Sequence, residues 1–436
     1  MDYIEDEMVL IGNDLPEGIS VSLSVTAAAG DILNGNLSGT YPAADYRITG
    51  DLDIASGDTV FLLAGTKFLF DGQYHFNIYG TLKAIGTETD SIIFDNFEDN
   101  DERWEGFTLE NVSDETEFRY VRISGGEKTD DGNDAGSELG AGGGILMIYS
   151  HPILNHVTIS GNDADSHIYG NGGGIYLLYS SPTLNEVLIS DNYATNGGGG
   201  LNFNVDSYPV YNNITISDNT AQWGGGIYAT PGNYYIRNML ISGNTAHVGG
   251  GIYFSAQTGS GGGTIQDATI SENRANVGAG MFIKHQFPED DVSNFMITNV
   301  IISGNTADYN DEENDSFFYE YMGGGIFLFH ANVILSNVMI SNNYALKDGG
   351  GIYIRNNSNS TFNSVSIIDN TAERYAGAIA IHENNNDIIM NNLTVTGNHA
   401  IDSGAILVSD SNLLLNNSII WNNDANPFIT SSNAEI

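Results

Sequence analysis

Residues 241–254 read ISGNTAHVGGGIYF, and the reading of this stretch decides the fold. It holds an apolar-Ser-x-Asn step, an Ala two residues after the Asn, a short link, a glycine run and an alternating apolar strand. The same unit recurs from residue 123 onward. Its first position falls at Ile123, Ile159, Ile189, Ile216, Ile241, Ile270, Ile302, Ile340, Ile367, Val395 and Ile420, with 25 to 38 residues between successive copies. A fixed motif on an elastic period means one supersecondary unit per repeat, with insertions confined to loops.

Each unit contains two legible strands. One precedes the Asn step, as in residues 211–216, YNNITI. The other follows the glycines, where Ile145, Ile175, Leu201, Ile227, Ile252, Met281, Ile326, Ile352, Ile379 and Ile406 begin an alternation whose next inward row runs from Met147 to Val408. Both rows are apolar, so they point to the core and the residue between them points away. Helical and leucine-rich repeats lack their signatures here, propeller blades need longer repeats, and the variable spacing breaks the strict hexapeptides of a left-handed β-helix. The pattern predicts an all-β right-handed parallel β-helix of roughly fifteen coils with three short strands each, about 70 Å long at one coil per ~4.8 Å. Residues 1–45 read as an N-terminal cap, 46–122 as divergent leading coils, and 123–436 as the regular array, truncated at its C-terminal end. Ten of the eleven Asn steps carry the Asn itself, from Asn162 to Asn423. Stacked at one turn, such amides can bond along the axis, so Asn and Gly read as scaffold.

Composition narrows the partners. The chain of 436 residues has 55 acidic against 13 basic side chains, a formal charge of −42, which opposes nucleic acid and anionic membranes. With no cysteine, disulfides and thiolate metal sites are excluded. No apolar run approaches a membrane span, so direct membrane insertion is not expected. Residues 1–14 have neither a basic nor an apolar signal region, so an export signal is expected to be removed or never present.

The Gly-Gly-Gly-Ile runs at 172–175, 224–227, 249–252, 323–326 and 349–352, paired with Ile-Ser-Gly-Asn or a near variant, resemble the paired glycine and FxxN repeats of chlamydial polymorphic outer membrane proteins. Ile stands here where that family has Phe. Residues 35–94 and Trp104-Glu105-Gly106-Phe107 are similar to the leading coils of large exported β-helix proteins of environmental bacteria. The resemblance covers about 35–436 and implies a pectin-lyase-like fold and an extracellular or outer-cell-surface location. Its members are mostly adhesins or uncharacterised surface proteins.

Three groups of residues could carry function. The outward row two past the last glycine holds Tyr176, Asn202, Tyr228, Tyr253, Phe282, Phe327 and Tyr353, readable as an exposed platform for a glycan or as stacking that stiffens the sheet. At the end of the same strands Lys284, His285, His330, Arg355 and His382 fall in successive coils, an arrangement able to hold an anionic sugar, or a metal through His285 and His330. The acidic insertions Asp130, Asp131, Asp134 and Asp311, Glu312, Glu313, Asp315 offer hard oxygen ligands for Ca²⁺, although their spacing fits no known calcium loop. No catalytic residue is nominated. The polygalacturonase signatures NTD, GHG and RIK are missing, and an acidic rod repels polyuronates unless calcium intervenes. The expected function is non-catalytic adhesion or glycan binding, with a polysaccharide or cell-surface glycan, or a host or neighbouring surface protein, as partner. A polysaccharide lyase or hydrolase, or a structural spacer, are the alternatives.

Overall fold

A unit turns a full circle through residues in the left-handed backbone conformation at its corners, four of them in coils such as those that start at Gly142, Gly172 and Gly323. In the coil that starts at Gly172 (φ 66°), Ile175–Leu178 leads to Tyr179 (φ 49°). The strand Thr183–Ser190 is bent at Glu186 (φ 51°), and Asp191 (φ 57°) turns the chain into Tyr193–Gly197. Neighbouring coils repeat these angles in columns. The variable residue of the Asn step is always such a corner, at Gly161, Asp191, Asp218, Gly243, Glu272, Gly304, Asn342, Asp369, Gly397 and Asn422. Gly, Asn and Asp adopt this conformation at least cost, which explains why they fill most of these positions.

The computed structural model describes residues 31–97, 102–129, 140–166, 170–204, 206–229, 234–256, 262–285, 295–309, 321–356, 358–383, 385, 388–424 and 428–430. Among these there is no α-helix, and all strand pairings given are parallel and join one coil to the next. Register is kept residue for residue: Ile159, Ile189, Ile216 and Ile241 are successive partners. Three strands per regular coil is the observed number. About eleven turns are made, not fifteen. The leading strands Ile32–Asn36, Asp45–Ile54, Phe76–Ile78 and Phe107–Glu110 stack under the glycine strands. They precede the ten-stranded sheet, whose first member is Glu127–Thr129, so they lack the full circuit. Residues 1–30, most of the expected cap, lie outside the described residues. Ile32–Asn36 already pairs as a coil.

The core is a continuous column, largely aliphatic in the regular coils, where Phe203, Tyr211, Tyr234, Phe254 and Phe295 interrupt it, and aromatic in the leading ones. There Tyr46, Phe68, Phe76, Phe94, Phe107 and Phe118 pack largely edge to face, and Phe70 stacks on Trp104 at 4.3 Å. On the ten-stranded sheet Ala164, Ala194, Ala221, Ala246, Ala275, Ala307, Ala345, Ala372 and Ala400 form one buried row. These alanines lie within the strand, not at its corner. The glycine segment opposite runs backbone against backbone: a Cβ on Gly250 would lie 2.6 Å from the Arg274 carbonyl oxygen.

The asparagine ladder is unbroken from Asn162 to Asn423. Asn273 is typical. Its Nδ2 donates to the Ile241 carbonyl (3.1 Å) and to Asn305 Oδ1 (2.9 Å). Its Oδ1 accepts from the backbone N–H and the Nδ2 of Asn244 (3.0 and 2.9 Å). A second polar ladder, which the sequence reading missed, lies at the end of the glycine strand. There the Ser150 N–H donates to Ser180 Oγ (3.1 Å) and the Ser180 N–H to Ser207 Oγ (3.2 Å).

Asn273→Ala leaves buried groups on both sides without partners, and a loss of about 3 kcal/mol is expected in urea unfolding. The same change at the partly exposed Asn423 should cost less than about 1 kcal/mol. Equal losses would show that the ladder does not hold the coils together.

Candidate functional site

The outward aromatics stack, but they do not form an open platform. Tyr228 and Tyr253 lie 5.0 Å apart and 10° from parallel, and the column continues through Phe282 (5.4 Å), Phe327 (5.1 Å) and Tyr353 (4.9 Å). Tyr253, Phe282, Phe327 and Tyr353 are buried, and Tyr228 is partly so. The reason lies in the link between the Asn step and the glycines. Trp223, Val248 and Val277, the last residues of their strands in the ten-stranded sheet, pair in series with Met322 and pack against the aromatic column as a second core. Tyr176 is also buried, in a separate cluster with Ala141 and Leu146, and its hydroxyl accepts a hydrogen bond from Asn204 Nδ2 (2.6 Å). Stacking that stiffens the sheet is therefore what the row does, and the exposed platform is corrected.

The strand-end residues do come together. Lys284, Phe329, Arg355 and His382 are successive partners in register. Lys284 Nζ sits 5.5 Å above the Tyr253 ring, where burial lowers its pKa. Arg355 grips Glu383 through Nε–Oε2 (2.6 Å) and a second bond. His382 stacks on Tyr353 at 5.3 Å, and His330 meets Phe329 edge to face at 4.5 Å. Burial lowers the pKa of both imidazoles, which favours their neutral forms near pH 7. His285 is buried at the inner end of its strand, and no group of three His, Asp or Glu near enough to share a metal occurs among the described residues. The acidic candidates Asp130, Asp131, Asp134, Asp311, Glu312, Glu313 and Asp315 lie outside the described residues.

Two further charges complete this end of the column. Asp348, 2 % exposed, takes the place that Met322 and Val277 fill in earlier coils. Its carboxylate accepts from Arg374 Nε (2.8 Å), from Arg374 Nη2 and from the Tyr375 N–H (3.2 Å). Arg355 and Arg374 are thus each held by a carboxylate of the chain itself, which weakens the case for an anionic sugar here. The sequence signal was an Asp in an otherwise apolar column directly before a glycine run. It becomes legible only when the covering row is known to exist.

Lys128 is the other unexpected charge. It pairs with Ala164, so the first regular coil carries a lysine where the following coils carry alanine. The side chain is 2 % exposed, and its ammonium donates to Thr108 Oγ1 (2.9 Å). Burial pulls its pKa down from the usual 10.5 to about 8, against the attraction of Glu105.

Phe327→Ala should cost about 3–5 kcal/mol in chemical denaturation, as for a core aromatic; a loss under about 0.5 kcal/mol would restore the exposed platform. For Lys128 the folded pKa lies below the unfolded one, so between pH 8 and 10.5 the unfolded chain binds the extra proton and stability rises with pH. Across that window the stability difference between the protein and Lys128→Met should shift by about 3 kcal/mol in favour of the lysine form. Parallel pH profiles for the two proteins would contradict this.

Comparison with known proteins agrees with the coil architecture. Residues 143–313 match the family described as right handed beta helix region, and residues 337–355 match the Chlamydia polymorphic membrane protein repeat. No curated protein matches the chain. Among solved structures, the A-module of the mannuronan C-5 epimerase AlgE4 of Azotobacter vinelandii is similar at 12 % identity and TM-score 0.32, over 92 % of this chain and 91 % of that one. The catalytic domain of a GH87 α-1,3-glucanase is similar at 11 % identity and TM-score 0.33, over 91 % of this chain and 64 % of that one. Scores this low carry nothing about activity. With its parallel in-register coils and glycine–asparagine units, the chain is a right-handed parallel β-helix bearing repeats of the polymorphic-membrane-protein type.

Proposed function

We propose that this β-helix is a non-catalytic bacterial surface protein that engages glycans or neighbouring surface proteins along its flank, as an adhesin does. One observation carries the reading. Whereas the outward row of the glycine strands is covered, the outward row of the long strands is open. Leu188, Thr215, Leu240, Thr269, Ile301 and Met339 are successive partners there, and Leu188, Leu240, Ile301 and Met339 are all exposed. Beside them runs the corner column Asn213, Asn238, Asp267 and Asn299, and the two rows enclose an open groove of about 420 Å³. Amide and carboxylate edges next to an aliphatic floor suit a partner with hydroxyl or amide groups and an apolar face. The polymorphic-membrane-protein repeat at 337–355 supports a surface location.

Native electrophoresis through gels containing a panel of polysaccharides, with and without calcium, tests the reading. Retardation without loss of polymer is expected, weakened several-fold in the Leu240→Asp/Ile301→Asp double variant at unchanged thermal midpoint. Cleared polymer would mean a lyase or hydrolase. Unretarded migration in all gels, together with no binding to bacterial or host cell surfaces, would leave a spacer rod. A calcium requirement would direct attention to the acidic insertions.

A further inference from the structure

The corner that ends the glycine strand carries small polar residues in several coils, such as Asn111, Asp206, Asn356 and Asp410, each with positive φ. In two adjacent coils it carries tyrosine. Tyr149 (φ 47°) and Tyr179 (φ 49°) hold a conformation that bulky side chains avoid, and strain of this kind persists where something else is gained. Their rings are stacked 4.8 Å apart and 3° from parallel. The single ring–ring contact offsets only part of the strain of two residues. Unlike the covered column of Tyr253 and Phe282, this pair lies at the surface, with Tyr149 51 % exposed.

The stack has a free end. Tyr179 covers one face of Tyr149. The other face is turned toward the preceding coil, where the column holds the short side chain of Asn111, since Ile148 pairs with Glu110. The preceding corner therefore offers no third ring to that face of Tyr149. Around it, Asn111 and His151 are exposed and Ser113 is partly so. His151 Nδ1 accepts the Ser181 N–H (3.0 Å), which fixes the ring and leaves Nε2–H as a donor at the surface. On the far side of the stack, the Tyr208 hydroxyl donates to Asp206 Oδ1 (3.2 Å). The serine ladder beneath, Ser150 to Ser180 to Ser207, holds the corner rigid.

We propose that the free face of Tyr149 binds a neutral pyranose ring, which stacks there as a third ring while its hydroxyls meet Asn111, Ser113 and His151. This deepens the adhesin reading and rests on it. A pyranose offers an apolar C–H face to the aromatic ring and a rim of hydroxyls to the polar groups beside it. Residues 110–113, 148–151, 178–181 and 206–208 contain no Lys or Arg, so a uronate or sulfated sugar finds no counter-charge there. Glu110 and Asp206 stand nearby instead, and the formal charge of −42 disfavours nucleotides, which would also stack.

Calorimetric titration of the full chain with neutral cello-, malto-, manno- and chito-oligosaccharides tests the assignment. At least one series should bind saturably. Tyr149→Asn should weaken that binding at least tenfold while the thermal midpoint holds or rises, because Asn suits the left-handed corner. Tyr149→Phe should retain it, and oligouronates should not bind. Binding that Tyr149→Asn leaves intact, or no binding by any neutral series, would overturn the proposal. If polysaccharide gels still retard the Tyr149→Asn protein through the Leu240 groove, the adhesin reading stands and only this site falls. If neither variant nor native protein is retarded and neither binds bacterial or host cell surfaces, the adhesin reading fails as well.

Discussion

From Asn162 to Asn398, each asparagine of the ladder binds the coil before it and the coil after it, out of reach of water. A backbone that turns sharply at each coil leaves N–H and C=O groups pointing into the interior, and an unpartnered buried amide is costly. The carboxamide supplies donors and an acceptor at one point, so one residue per coil satisfies the turn and fixes the rise to the next. The remaining features follow from that fixed rise. Rows of Ile, Ala and Gly can stack residue on residue only because no coil slips, and a slip of one residue would turn each core side chain outward.

The same stacking creates a second interior. Once coils are in register, the aromatics of the glycine strands lie one rise apart and stack, which leaves a wide apolar face on the outside of the sheet. The ends of the ten-stranded sheet's strands close over it with Trp223, Val248 and Val277, joined by Met322. At its far end the cover changes from apolar to charged, and Asp348 with Arg374, beside Arg355 with Glu383, neutralises itself in pairs. Of the strand-end candidates, Arg355 is thus already paired within the chain. Surfaces left open for partners are the ones the cover does not reach: the flank of the long strands and the tyrosine corner at Tyr149 and Tyr179.

Much of the fold was legible because its determinants are local and repeated. Ile241–Asn244 and Gly249–Phe254 reveal an inward row, a turn and a backbone contact without reference to any other coil. The positions of Lys284, Arg355 and His382 as neighbours were legible for the same reason, since alignment of the glycines gives register. Burial was not. Alternation tells that Phe327 points away from the first core, but not whether another part of the chain lies over it. Nor did composition reveal that the residue before the ladder Asn is a left-handed corner in each regular coil, or that Ser150, Ser180 and Ser207 form a second ladder.

The sequence by itself determined the all-β parallel solenoid, its register and its asparagine ladder, because each rests on periodicity. Only the tertiary structure decided that the turns are about eleven, that the aromatic column is an interior, that Arg355 and Arg374 are already paired, and that Tyr149 and Tyr179 stack at a left-handed corner. These depend on which segments cover which faces. Coverage is set by loops of irregular length packing across coils, and such contacts leave no period in the chain.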